Sequence, residues 1–286
     1  MSLKGIAKST LAIIEDGAYI PPKGARISIA ASLSAAVEGT QTFTPDRVAA
    51  LLDASGGEGS PPAITATGER TQEAAHRLVT QEGIDDLVLL NFASARNPGG
   101  GFIKGAKAQE EDLSRCSGLY ACLMPQRTYY AENEPSPGDP VGGMLYTDHI
   151  IHSPRVPFFR RKNRDLLKAP FLASVITAPA PNATQALRRD PTALPLIEAA
   201  LRHRAGGVLA VAQDQGHRSL LLGAWGCGVF GNPPVIVASA FADWLAAPRF
   251  AGAFDRVIFA VFEPVKGRDT LKSFARISRH GHTPSG

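Results

Sequence analysis

Short apolar runs recur between amphipathic stretches along most of the chain, and this alternation restricts the possible folds more than any other feature. Asp86-Leu-Val-Leu-Leu-Asn91, Ser219-Leu-Leu-Leu-Gly-Ala-Trp225 and Arg256-Val-Ile-Phe-Ala-Val-Phe262 have the length and apolar content of strands buried on both faces. Residues 63–67, 144–152 and 171–178 are the remaining strand candidates. Helical spacing is expected over 71–82, 109–124, 192–205 and 234–246, with 207–213 continuing as helix or loop. Strands alternating with helices predict an α/β chain: three α/β/α layers around a central mixed, mainly parallel sheet. Ahead of this series, a helix around 9–14, an extended piece at 26–30 and a helix from Pro45, begun at Thr44 or Asp46, suggest an N-terminal helical extension. The expected division is an extension over 1–62 packed on the core, a catalytic-sized domain over 63–275, and a flexible tail over 276–286. Histidines 280 and 282 in that tail look frayed, not metal-binding.

Bulk properties exclude several classes. With 286 residues, 44% hydrophobic and 20% charged, the chain has the composition of a globular protein with a substantial core. The net charge of +4 favours anionic ligands. The basic residues are scattered, however, and no direct nucleic-acid binding is expected. Their densest run, 155–168 with Arg160, Arg161, Lys162 and Arg164, reads as a solvated loop. Cys116, Cys122 and Cys227 lack metal-type pairing, and their odd number argues for a reducing compartment. With no apolar run of membrane-spanning length, a cytoplasmic location is expected and no membrane partner.

Two glycine-rich loops follow buried strands, where open α/β sheets bind ligands. Asn97-Pro98-Gly99-Gly100-Gly101-Phe102 has three successive residues without Cβ atoms, so backbone N–H groups can approach an anion closely; an ordinary surface turn is the competing explanation. Gly226-Cys227-Gly228-Val229-Phe230-Gly231 leads through Asn232-Pro233-Pro234 into a helix, and Asn followed by Pro reads as a cap at a helix start, a natural phosphate seat. Its glycine spacing matches the dinucleotide fingerprint, but in a Rossmann domain that fingerprint follows the first strand, and here it follows the second-last. A diphosphate-bearing ligand is expected, and a dehydrogenase is not.

Gln109-Glu110-Glu111 opens the helix after the triple glycine. Acidic residues in a first helical turn are common because they complement the macrodipole. Beside a diphosphate seat they acquire another meaning. Adjacent residues point ~100° apart on a helix, so one carboxylate can stay ionised while the other is raised toward the working pH. That division suits glycosidic cleavage, although spacing alone leaves both explanations open.

The stretch from Asn91 to Gly101, seven residues, and then Gln109-Glu110-Glu111 resembles the signature of the poly(ADP-ribose) glycohydrolases. Tyr146-Thr-Asp-His-Ile-Ile-His-Ser-Pro154, Val175-Ile-Thr-Ala-Pro-Ala180 and Leu222-Gly-Ala-Trp-Gly-Cys-Gly-Val-Phe230 are similar to the bacterial branch of that family. The resemblance implies a macrodomain fold, Glu111 as the general acid/base, and Glu110 as its partner on ribose hydroxyls. It places Asn97 on the distal ribose, Gly99, Gly100 and Gly101 beside that ribose and the diphosphate, and Gln109 among the substrate contacts. Gly226, Cys227, Gly228, Val229 and Phe230 become the second diphosphate loop, with Phe230 against the distal ribose. Glu69 would meet the adenine amine, and Phe262 would stack on adenine or serve as a core residue. The implied partners are poly(ADP-ribose) or ADP-ribose and ADP-ribosylated proteins, handled by a monomer without metal or cofactor. The short extension suggests a preference for polymer ends. A non-catalytic ADP-ribose-binding macrodomain and a mono-ADP-ribosyl hydrolase are the alternatives.

Overall fold

The computed structural model describes residues 1–134, 141–162, 165–263 and 269–280, and of 278–280 the backbone alone. In chain order the elements are α1 (Leu3–Asp16), β1 (Ala18–Tyr19), β2 (Ile27–Ser28), α2 (Ala30–Glu38), β3 (Gln41–Phe43), α3 (Pro45–Leu52), β4 (Ala63–Thr67), α4 (Thr71–Thr80) and β5 (Leu87–Phe92). They continue with α5 (Gln109–Cys116), α6 (Leu119–Leu123), α7 (Arg127–Ala131), β6 (Ile150–Arg160), β7 (Leu166–Ala178), α8 (Ala183–Arg189), α9 (Leu194–Asp214), β8 (Ser219–Gly223), α10 (Pro234–Ala246), β9 (Arg256–Ala260) and α11 (Thr270–His280).

Among the described residues, seven strands form one sheet in the order β3-β6-β7-β5-β8-β9-β4. β7, β5, β8, β9 and β4 run parallel to one another, and β6 is antiparallel to both β3 and β7. Side chains on a strand alternate between faces, and the buried runs use both. Val88 and Leu90 of β5, Leu220 and Leu222 of β8, and Val257 and Phe259 of β9 pack with α9 and α10 through Leu201, Val208, Val237 and Phe241. Leu87, Leu89, Leu221 and Ile258 pack on the other face with Ala75 and Leu78 of α4, Leu113 of α5 and Leu119 of α6. The three-layer α/β/α arrangement with a mainly parallel sheet follows from those two faces, and it is macrodomain-like.

The N-terminal region is more than a covering. Its own cluster joins Ile13, Tyr19, Ile29 and Leu33 to Phe159 of β6. Strand β3 also extends the main sheet, with Gln41 opposite His152 and Phe43 opposite Ile150. Thr44 caps α3 as expected, its hydroxyl accepting from the Arg47 amide.

Several elements depart from expectation for visible reasons. The single helix over 109–124 is two, because Ser117 is extended (φ −146°, ψ 178°) and bridges Phe158 of the sheet. The strand expected at 144–152 starts only at Ile150, since the preceding segment turns through left-handed Gly142, Gly143 and Tyr146. Helix α9 runs on through 207–213 to Asp214. The basic run at 155–168 is not a solvated loop: Arg160 lies on β6, 3% exposed, with its guanidinium donating to the hydroxyls of Ser9 and Thr10. Arg164 falls outside the described residues. So does the tail from 281, including His282, whereas 276–280 belong to α11, whose Phe274 and Ile277 pack in the core.

Candidate active site

The C-terminal ends of the parallel strands converge on a cleft of about 990 Å³. Beyond β4 lie Glu69 and Arg70; beyond β5, Ala93; beyond β7, Ala180; beyond β8, the loop 224–230; and beyond β9, Phe262 and Glu263, all lining the cleft. This is where an open parallel sheet offers strand ends and loop amides together.

The second glycine loop forms one wall. Gly226 has φ +71°, and a Cβ there would come within 2.4 Å of Asn232 Nδ2 and 2.5 Å of Ala180 Cβ, so only glycine fits. Asn232 does not cap α10, as the sequence suggested. Pro233 takes the cap position, and the buried Asn232 side chain turns inward, its Nδ2 donating to the carbonyls of Pro181 (2.8 Å) and Gly226 (3.2 Å). The loop is thereby fastened at both ends, while Val229 at its tip is 82% exposed. Burial pushes the Cys227 thiol up to about 12, away from the thiolate form.

The first glycine loop meets the acidic pair. Gly101 N donates to Glu111 Oε1 at 2.9 Å, so the anion this amide approaches is the chain's own carboxylate. The Gly100 amide closes a turn onto Asn97 O at 2.9 Å. A Cβ on Gly100 would lie 2.5 Å from Glu111 Oε1 and 3.0 Å from Glu110 Oε2, at a φ of +59°. The glycines thus make room for two carboxylates as well as bending the chain. Glu111 is 8% exposed, and its Oε2 has no hydrogen-bond partner among the described residues.

Glu110 is held differently. It is 2% exposed, accepting from Asn91 Nδ2 at 3.2 Å on one oxygen and from Ser94 N at 2.6 Å on the other. Burial pushes its pKa up to about 8, and the neighbouring Glu111 acts in the same direction against the hydrogen bonds that lower it. Glu110 therefore keeps its proton near neutral pH.

The remaining expected residues separate into two groups. Glu69, Gln109, Gly226, Cys227, Gly228, Val229, Phe230 and Phe262 line the cleft, whereas Asn97, Gly99, Gly100, Gly101, Glu110 and Glu111 are not among its lining residues. Gln109 is a fastener: its Oε1 accepts from Phe92 N (2.9 Å) and its Nε2 donates to Leu90 O (2.8 Å), which ties α5 to the end of β5. Glu69 is engaged by both Nε and Nη2 of Arg77, which holds its carboxyl below the usual range despite partial burial. Phe262 is 42% exposed and is not a core residue; the Arg70 guanidinium lies 3.7 Å from its ring centroid. Arg70 and Asn91 were not anticipated. A lone arginine after Glu69 carries no periodic signal, and Asn91 entered only as a strand end and the first residue of the family-like stretch, with no role of its own. Among the described residues, no group of three or more His, Cys, Asp or Glu side chains is placed to hold a metal.

A macrodomain-like sheet carrying two glycine loops and a buried carboxylate pair at its C-terminal edge defines a glycoside-cleaving macrodomain. Comparison narrows this to a family. The family model described as microbial-type PARG, catalytic domain, matches residues 7–161. The chain is 44% identical to poly(ADP-ribose) glycohydrolase from Thermomonospora curvata, with a TM-score of 0.88 over 96% of this chain and 98% of that one. The same enzyme bound to the inhibitor ADP-HPD gives a TM-score of 0.86 at 44% identity, with the same coverage. Poly(ADP-ribose) glycohydrolase from Deinococcus radiodurans in complex with ADP-ribose is also 44% identical, with a TM-score of 0.77 over 87% of this chain and 97% of that one. A search of curated proteins gave no match. The chain belongs to the microbial-type poly(ADP-ribose) glycohydrolases, a family of glycosidases.

Proposed function

We propose that this glycohydrolase cleaves the ribose–ribose O-glycosidic bond of poly(ADP-ribose) with Glu111 as general acid/base and releases ADP-ribose. The observation carrying the assignment is the state of its carboxyl group: one oxygen is fixed by the Gly101 amide, and the other has no hydrogen-bond partner among the described residues. Glu110, by contrast, has both oxygens committed to Asn91 and Ser94. Glu111 is the carboxyl with an oxygen left uncommitted by the protein, and Glu110 is the fully engaged neighbour that shapes its field.

In this reading the cleft holds the ADP-ribose unit. The amides of 226–230 face the diphosphate, Phe230 and Asn97 flank the distal ribose, Phe262 stacks on adenine, and Glu69 meets its amine. Glu111 in its acid form gives its proton to the 2′-oxygen of the adjoining unit as the C1″–O bond breaks and positive charge grows on the distal ribose. The substrate's diphosphate stabilises that charge. Water then adds to C1″ and returns a proton to Glu111, which restores the acid. ADP-ribosylated proteins are the proposed carriers of the polymer, met by a monomer in the cytoplasm; no described helix is long and apolar enough to cross a membrane.

The test is release of ADP-ribose from automodified polymerase by the wild type and by Glu111→Gln, beside calorimetric titration with ADP-ribose. Loss of general acid/base catalysis should lower kcat by about 10²–10⁴, with ADP-ribose affinity retained. Equal rates would remove Glu111 from the mechanism. Binding without release by the wild type would make the protein an ADP-ribose-binding module.

A further inference from the structure

The segment from Tyr146 to Pro154 takes no part in the chemistry above, yet its first residues are held under strain. Tyr146 has φ +60°, a left-handed conformation that bulky side chains avoid and that surrounding structure must enforce. Two clamps enforce it. On one side Arg204 of α9, 1% exposed, gathers three carbonyls and a carboxylate onto one guanidinium. Its Nη2 donates to both Leu145 O and Tyr146 O at 3.1 Å, Nη1 to Pro179 O at 2.7 Å, and Nε to Asp148 Oδ1 at 2.9 Å. On the other side the buried Asn133 accepts the Thr147 amide at 2.7 Å and its hydroxyl at 3.1 Å, while donating to Tyr129 O at 2.7 Å. The result is a fixed aromatic contact: the Tyr146 ring packs on Phe230, with centroids 6.1 Å apart.

A buried arginine paired only to shape a loop is a costly arrangement, and what the loop delivers is a ring behind the cleft wall. We infer that Tyr146 is a positioning residue for the reaction, setting the Phe230 ring where the distal ribose must lie, with Arg204 and Asn133 keeping it in place. The inference rests on the glycohydrolase reading, because it assigns Tyr146 to that same site. A ring that fixes the reacting sugar acts on the cleavage step more than on the grip of the adenosine and diphosphate, which are held by other residues.

The test compares wild type with Tyr146→Phe, Tyr146→Ala and Tyr146→Gly, reading kcat and KM on poly(ADP-ribose), Kd for ADP-ribose and thermal midpoints. Tyr146→Phe should keep kcat, because the ring contact survives. Both small replacements should lower kcat roughly ten-fold, within what a displacement of about 1 Å can cause, while Kd for ADP-ribose changes less than about two-fold. Glycine tolerates the left-handed conformation, so Tyr146→Gly should melt above Tyr146→Ala with no recovery of kcat. Wild-type kcat in both small variants would overturn the inference, as would kcat that rises and falls with the melting temperature across the series, or loss in Tyr146→Phe equal to that in Tyr146→Ala. An inactive wild type would instead overturn the glycohydrolase reading itself.

Discussion

Gly100 shows how little freedom this site leaves a single position. The Cα hydrogen that stands in for a side chain faces both carboxylates, and its backbone is left-handed, so a methyl group would meet steric and conformational resistance together. Gly100→Ala should cost about 1–3 kcal/mol in stability from the strained backbone alone. It should also push Glu111 off the Gly101 amide, with kcat falling by roughly 10² through misplacement of the acid. Denaturant titration and turnover assays check both parts. Full activity in the variant would show that Glu111 can act without the position it occupies here. Glycine-rich character at 99–101 was legible in the sequence, but its purpose was only half legible. Consecutive glycines suggested a seat for a substrate anion, and spacing could not reveal that the nearest anion is ten residues further along the same chain.

At the scale of elements, strands were easier to read from the residues than breaks. β4 and α10 begin and end where apolar pattern and turn residues put them. The interruption at Ser117 was hidden because Leu113, Cys116, Tyr120 and Leu123 keep helical spacing across it, and only the pairing with Phe158, a distant residue, favours an extended backbone there. α2 escaped notice because its run of Ala and Ser carries little amphipathic contrast, although Leu33 and Ala36 are buried. Asn232 was recognised as important for the wrong reason. It acts as a strut inside the loop and not as a helix cap, so its loss should weaken the loop more than α10. Asn232→Ala leaves Pro181 O without its buried donor, a cost of about 1–3 kcal/mol. ADP-ribose affinity should then fall roughly ten-fold, the equivalent of ~1.4 kcal/mol. Calorimetry gives the affinity, and helix content by circular dichroism should stay constant. A loss of helix content with unchanged affinity would restore the capping role.

The molecule as a whole carries buried titratable groups of opposite sign, and together they bound its pH range. Glu110, raised from 4.5 to about 8, binds its proton more tightly folded than unfolded, so the stability this gives is full below about 4.5 and is lost progressively as pH rises through about 8. His152 behaves in the reverse sense. Its Nε2 lies 2.9 Å from His217 Nε2, and burial pushes its pKa down to about 3, with His217 adding to the shift. The folded protein therefore refuses a proton that the unfolded chain accepts near ~6.5, and stability is lost as pH falls from there. The two effects offset each other between about 4.5 and ~6.5, so thermal midpoints should be highest there and fall on either side. Glu110→Gln should flatten the alkaline side, and His152→Gln the acid side. A His152→Gln variant whose midpoint still falls below about pH 4.5 as steeply as the wild type's would dismiss the histidine pair as a determinant. None of this was legible beforehand: two histidines 65 positions apart become partners only once β6 and β8 have taken their places in the sheet.

Strand β3 has a consequence for the order in which the chain is made. Gln41 leaves the ribosome long before His152, its partner in the sheet, has been synthesised. Contacts so far apart along the chain are slow to form, and an early strand without a mate is exposed to wrong ones. At three residues β3 offers such partners little to grip, so its brevity lets the growing chain wait for β6.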